Sequence, residues 1–229
     1  MRWGRSIIQL PLLPGGAMRT PDPKTIGYER LEPRLRTGDV FLFHGKSAIS
    51  RKIERGTRSR FSHASMVVRP DRARPPMLWQ TGPVKIVRDR LTRTDHGGAQ
   101  LGDLREALLL MTSPECGDQP YVRQLKVRRT PEFEQLAMLV IADIDGRPFP
   151  TMSQMLQQWK AGQGRRSESD RTLFCAELVA ETFMRIGLLL LSPPPNAYSP
   201  KHFSEQYRRL HLRRNALFGP EFKVAPPRP

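Results

Sequence analysis

The sequence predicts one α+β domain, a small, bent antiparallel sheet with a helix packed on it. Three observations carry this expectation. Short apolar runs of strand length occur near residues 39–43, 63–68 and 121–127, and apolar residues recur at helical spacing over 131–144 and 175–186. The third is length: 229 residues suffice for one well-filled core. Hydrophobic content of 38% with 22 prolines is lean, which leaves part of the chain to loops and tails. The expected division is a flexible leader over 1–33, a domain over 34–215 and a Pro-rich tail over 216–229.

Taken in order, Met1-Arg2-Trp3-Gly4-Arg5 and the apolar stretch after it imitate a signal peptide. Gln9, Pro11 and Pro14 break that stretch and no small-x-small cleavage site follows, so it reads as a leader, with Met18 an alternative start. Asp39 to Phe43 is a strand. Ser47 can cap a helix that Ile49 and Ile53 line and Gly56 stops. In the next strand alternation sets His63, Ser65 and Val67 on one face and Ala64, Met66 and Val68 on the other. Residues 77–81 and 84–88 read as extended pieces around a Gly82-Pro83 turn. Asp103 to Met111 reads as a short helix and Tyr121 to Val127 as a strand. Thr130-Pro131-Glu132 starts a helix, with Pro at the first position and acid in the first turn; Phe133, Leu136, Ala137, Val140 and Ile144 form its stripe. Gln154 to Lys160 is helical, and 162–169 is an exposed loop. The Cys175 helix sets Leu178, Val179, Phe183 and Ile186 beside the thiol and stops at Gly187. After Pro193-Pro194-Pro195, residues 203–213 form a last amphipathic piece.

The 38 Lys+Arg outnumber the 22 Asp+Glu for a net charge of +16, which fits anionic surroundings or an anionic substrate. Nucleic acid, an acidic membrane face and an anionic cell-wall polymer all meet that description. The basic residues spread along the chain in short doublets, which favours a general basic surface from an arginine-rich bacterial proteome over a dedicated patch. No nucleic-acid motif is present, and no stretch approaches the ~20 apolar residues of a transmembrane span. Two cysteines do not make a disulfide framework, no His or Cys pair has metal-ligand spacing, and no metal or cofactor is expected. A cytoplasmic monomer is the default.

The chemistry lies in two distant segments. Phe61-Ser62-His63-Ala64 opens a strand with a histidine, and Leu173-Phe174-Cys175-Ala176 opens a helix with a cysteine. A thiol at the positive end of a helix dipole is biased toward thiolate, and an adjacent imidazole completes an ion pair. A buried Cys on an apolar helix face is more often a small hydrophobe, so its place in the first turn is what singles it out. Cys116, in a turn-like loop, reads as incidental. His44 reads as structural or surface, and His96, His202 and His211 as surface.

Leu35-Arg36-Thr37-Gly38-Asp39-Val40, the His63 strand, Asp145-Gly146-Arg147-Pro148-Phe149 and Phe174-Cys175-Ala176-Glu177-Leu178-Val179 resemble, in order, the motifs of the YiiX/YebB-like cysteine hydrolases. That family is the circularly permuted branch of the papain-like NlpC superfamily. The resemblance covers roughly Leu35 to Phe203, with Phe149 for the usual Tyr and Ala176 for the commoner Ser. It implies a permuted papain-like fold in which Cys175 attacks an amide of a peptide or cell-wall-derived peptide, with His63 as base. It also implies a third, ring-orienting residue on the strand after the histidine, where Gln80 stands in place of the usual acid; Asp89 and Asp95 are acidic fallbacks. Alternation places Gln80 with Leu78, opposite Trp79, able to share the His63 side. The Cys175 N–H is the expected first oxyanion donor, and Glu177 is expected to cap the helix. Lipid acyl hydrolysis or acyl transfer on the same dyad is an alternative, and Gln80 with Ala176 also permits a catalytically degenerate binding module.

Overall fold

Alternating apolar residues give the sheet two buried faces, and the helices divide between them. The computed structural model describes residues 24–83, 85–167, 172–207 and 210–228; the leader's residues 1–23, Val84, residues 168–171, Arg208, Arg209 and Pro229 lie outside the described residues. Seven strands, β1 (Thr25–Gly27), β2 (Val40–His44), β3 (His63–Val68), β4 (Met77–Gly82), β5 (Gly98–Asp103), β6 (Gln119–Lys126) and β7 (Leu217–Ala225), form one sheet in the order β1-β7-β6-β2-β3-β4-β5. Every neighbouring pair is antiparallel except β1 with β7, so the sheet is mixed rather than purely antiparallel.

One face buries Val40, Leu42, Ala64, Met66, Trp79 and Leu101 against α4 (Pro131–Ile144), α5 (Met152–Gln163) and α6 (Cys175–Arg185). The other buries Phe41, Phe43, Val67, Leu78 and Val122 against α1 (Tyr28–Leu31) and α3 (Leu104–Met111). The peripheral α2 (Ala48–Thr57) buries no residue, and Ile49 is exposed. Side chains start four of the helices: Ser47 and Thr130, expected at helix starts, and Asp103 and Thr151 each accept a backbone N–H of the first turn. Trp79 Nε1 donates to Thr182 Oγ1 at 3.1 Å and fixes α6 across β4. Among the described residues no helix is long and apolar enough to cross a membrane.

Asp39 explains the Gly-Asp pair ahead of β2. Its buried carboxylate accepts the N–H groups of Leu125 at 2.8 Å and Arg36 at 3.0 Å, with Arg129 Nη2 at 3.3 Å, and so ties β2 to the end of β6. Gly38 precedes it at φ +91°, where a Cβ would meet Leu125 Cδ2 at 2.8 Å.

Several expectations are corrected. The leader does not extend to 33: Thr25–Gly27 pairs with β7, and Tyr28 and Leu31 are buried. The tail from 216 is a strand, because Phe222 and Val224 pack on the α1 side while the backbone pairs with β6. Residues 85–88 do not form a strand; the strand beside β4 is β5. Residues 203–213 form no α-helix among those described, only the end of a 3₁₀ turn at Pro200–Phe203. On α4 it is Ile141 rather than Leu136 that is buried.

Candidate active site

Cys175 is the first residue of α6, where N–H groups have no intrahelical partner; the first helical bond runs from the Leu178 N–H to the Phe174 carbonyl. Glu177, fully buried, turns its carboxylate back to accept the Phe174 N–H at 3.2 Å, which fixes the helix start as expected. Leu173 is held ahead of it: its N–H donates to the Pro148 carbonyl at 3.0 Å, and its carbonyl accepts the Thr81 hydroxyl at 3.3 Å. The Asp145–Phe149 turn therefore clamps the approach to the cysteine. Gly146 N–H donates to the Ala99 carbonyl and Ala99 N–H to the Arg147 carbonyl, both at 2.8 Å.

The thiol reaches the sheet where β3 has parted from β4, whose pairing begins at Met66↔Trp79. There Sγ donates to the Ser62 carbonyl at 3.9 Å, and the Ala64 N–H points at the sulfur, so the residues on either side of His63 bracket it. His63 pairs with Phe43 across β2, their rings 5.6 Å apart, on the Leu78 side of the sheet. Gln80 lies on that side too, and its side chain faces the imidazole and favours the protonated ring. Histidine and glutamine thus share the Leu78 side of the sheet, while the thiol, on the α6 side, meets the backbone on either side of the histidine. His63 Nε2 and Gln80 Nε2 are both buried without a hydrogen-bond partner.

Burial governs the electrostatics. It pushes the Cys175 thiol up to about 11, although the N–H groups of Ala64, Ala176 and Cys175 favour the thiolate. It also pulls His63 down to about 4, against the help of Gln80. Burial thus opposes the charged form of both groups, against the ion pair that the helix dipole favours.

The fallback acids stand elsewhere. Asp95 pairs with Lys85 at 2.7 Å. Asp89, His96 and Asp145 come together at a separate cluster whose potential ligand atoms all lie within 4.8 Å of one another. Burial, with the Asp89 charge, raises the Asp145 carboxyl to about 6. Beside this cluster runs a cleft of about 360 Å³, lined by Pro83, Gly97, Gly98, Gly146, Pro148 and Phe149.

No family model matches the chain, and no curated protein matches it. Among solved structures, the chain is similar to the crystal structure of metalloprotein yiiX from Escherichia coli O157:H7, with a TM-score of 0.47 and 18% identity over 85% of this chain and 98% of that one. Likeness at that level carries no argument about the site.

The remaining histidines and cysteine divide as follows. His44 Nδ1 is 2.9 Å from Glu54 Oε1 and 3.1 Å from the Arg60 carbonyl, a link between β2 and the end of α2. His202 Nδ1 accepts the Ser199 N–H at 2.9 Å inside the Ser199–Phe203 turn. Cys116 is a free, exposed thiol. The sequence alone places Asp145 in the Asp145–Phe149 motif and His96 at the surface. Their meeting with Asp89 has no local sequence signature, because 48 residues and a sheet edge separate the histidine from Asp145 in the chain.

Proposed function

We propose that the protein is a cysteine-dependent hydrolase of amide bonds, YiiX/YebB-like and of permuted papain-like topology. The observation that carries this reading is the placement of Cys175 at the open N-terminus of α6, its sulfur bracketed by Ser62 and Ala64 on the two sides of His63. The order of strand-borne histidine, polar residue on the next strand and helix-borne cysteine supports it, as does the contact of Gln80 with the ring.

In this mechanism the thiol stays protonated until a substrate carbonyl arrives, since burial opposes the charged form of both partners. As sulfur forms its bond to the carbonyl carbon, His63 takes the thiol proton. The free N–H groups at the start of α6 stabilise the oxyanion. His63 then returns the proton to the departing amine as the C–N bond breaks, and water hydrolyses the thioester. Gln80 orients the ring without supplying charge. The substrate proposed is a peptide amide, including peptides derived from cell-wall material.

Intact-mass analysis with a dipeptidyl vinyl sulfone at neutral pH tests the reading. One adduct is expected, mapped to Cys175, lost in C175A and strongly slowed in H63Q. Adduct formation at Cys116 alone, or an unchanged rate in H63Q, would exclude this dyad.

A further inference from the structure

We propose that Asp89, His96 and Asp145 bind one first-row divalent cation, with Zn²⁺ matching a donor set of one imidazole nitrogen and two carboxylate oxygens. Two chain segments build the cluster: the β4–β5 connection, which carries Asp89 and His96, and the C-terminal cap of α4, which carries Asp145. The bonds between Gly146 and Ala99 and between Ala99 and Arg147 pin the two together. Gly98, at φ +87°, lets the loop approach so closely that a Cβ there would meet the Arg147 carbonyl oxygen at 2.3 Å. Position is therefore set by backbone, not by the side chains themselves.

The side chains present acceptors to one another. His96 Nδ1 lies 3.0 Å from the Gly97 carbonyl, a contact that requires the proton on Nδ1 and leaves the Nε2 lone pair free. That Nε2 is buried and has no hydrogen-bond partner, and it faces Asp89 Oδ2 at 3.9 Å. Asp145 Oδ1 is a second buried acceptor without a partner. Asp89 is itself buried and oriented by its surroundings: Oδ1 accepts the N–H groups of Leu91 and Thr92 at 2.7 and 2.8 Å, and Oδ2 accepts that of Leu101 at 2.6 Å. Orphaned lone pairs converging on two carboxylates call for a cation between them. A separation of 3.9 Å is too long for a hydrogen bond but suits two ligands of one ion, each at ~2.0–2.2 Å. Three protein ligands leave at least one coordination position for water or an oxygen of a ligand in the neighbouring cleft. The thiol plays no part in this site.

Chelator-treated full-length protein dialysed against Zn²⁺ provides the test, with bound metal counted by mass spectrometry. One ion per chain is expected for the wild type and equally for a C116A/C175A variant, with affinity lowered about tenfold or more in D145N and H96Q. Zn²⁺ should raise the melting temperature of the wild type and leave that of D145N unmoved. Replacement by Co²⁺ gives a readout independent of substitution: visible d–d bands with no thiolate charge-transfer band. Three results would each overturn the proposal: no bound ion at millimolar Zn²⁺, binding lost with Cys175 but kept in D145N and H96Q, or a thiolate band with Co²⁺. In the first case the two carboxylates share a proton instead.

Discussion

At the level of single residues the site is dominated by desolvation. His63, held down to about 4 against its ordinary 6.5, stays neutral when folded while the unfolded chain takes up a proton. The stability this contributes is complete above pH 6.5 and is lost as pH falls toward 4, by about 3 kcal/mol in all. Asp39 and Asp145, raised to about 6, act in the opposite sense through the same window. The difference between wild type and H63Q in urea melts at several pH values therefore isolates the histidine, and it should shrink as pH drops. Q80E places a carboxylate against the ring, so it should favour imidazolium and shift the pH profile of Cys175 labelling by vinyl sulfone to lower pH. Q80A should leave that profile unshifted and slow the labelling. Strand alternation and helix starts are local patterns, so the sequence could set Gln80 on the Leu78 face and Cys175 at a helix start, where the structure has them. It did not disclose how strongly burial shifts the histidine and the thiol, because partners such as Phe43, its ring 5.6 Å from that of His63, are brought up by other strands.

At the level of elements, capped helices were legible and strands without β-branched residues were not. Thr130-Pro131 and Asp103 carry their helix starts in the side chain, so α3 and α4 fall within a residue or two of their expected bounds. Gly98–Asp103, reading GAQLGD, has no alternation or β-branched residue to announce a strand. It is made one by the register Gln80↔Gln100 and Trp79↔Leu101 and by the clamp at Ala99. Gly98→Ala should consequently lower stability by about 2–4 kcal/mol, from left-handed backbone and the clash with the Arg147 carbonyl together. Gly146→Ala, also at positive φ but with open space around its Cβ, should cost about 1–2 kcal/mol. Thermal melts of the two variants check the contrast.

For the whole molecule, the sequence suggested a core flanked by dispensable ends, and the sheet contradicts this on both sides. β7 covers β6, which would otherwise be an open edge, and it gives β1 its partner. A chain ending at residue 215 should therefore be insoluble or sediment as aggregates. Size-exclusion chromatography and a thermal melt of that truncation beside the full chain check this. Composition could not reveal β7, since Leu217–Ala225 includes a glycine and a proline and becomes a strand through pairing with two remote partners.

The pairing of β1 with β7 also has a bearing on synthesis. A nascent chain exposes β1 first and β7 last of the seven strands, and about 90 residues separate the end of β6 from the start of β7. At ordinary ribosomal speeds β6 waits roughly 5–20 s for its second neighbour. During that interval α4, α5 and the Cys175 helix emerge and can settle on the strands already present. Until β7 arrives, β6 keeps one row of backbone groups uncovered, so the nascent protein is most vulnerable to association with its own copies on a crowded polysome.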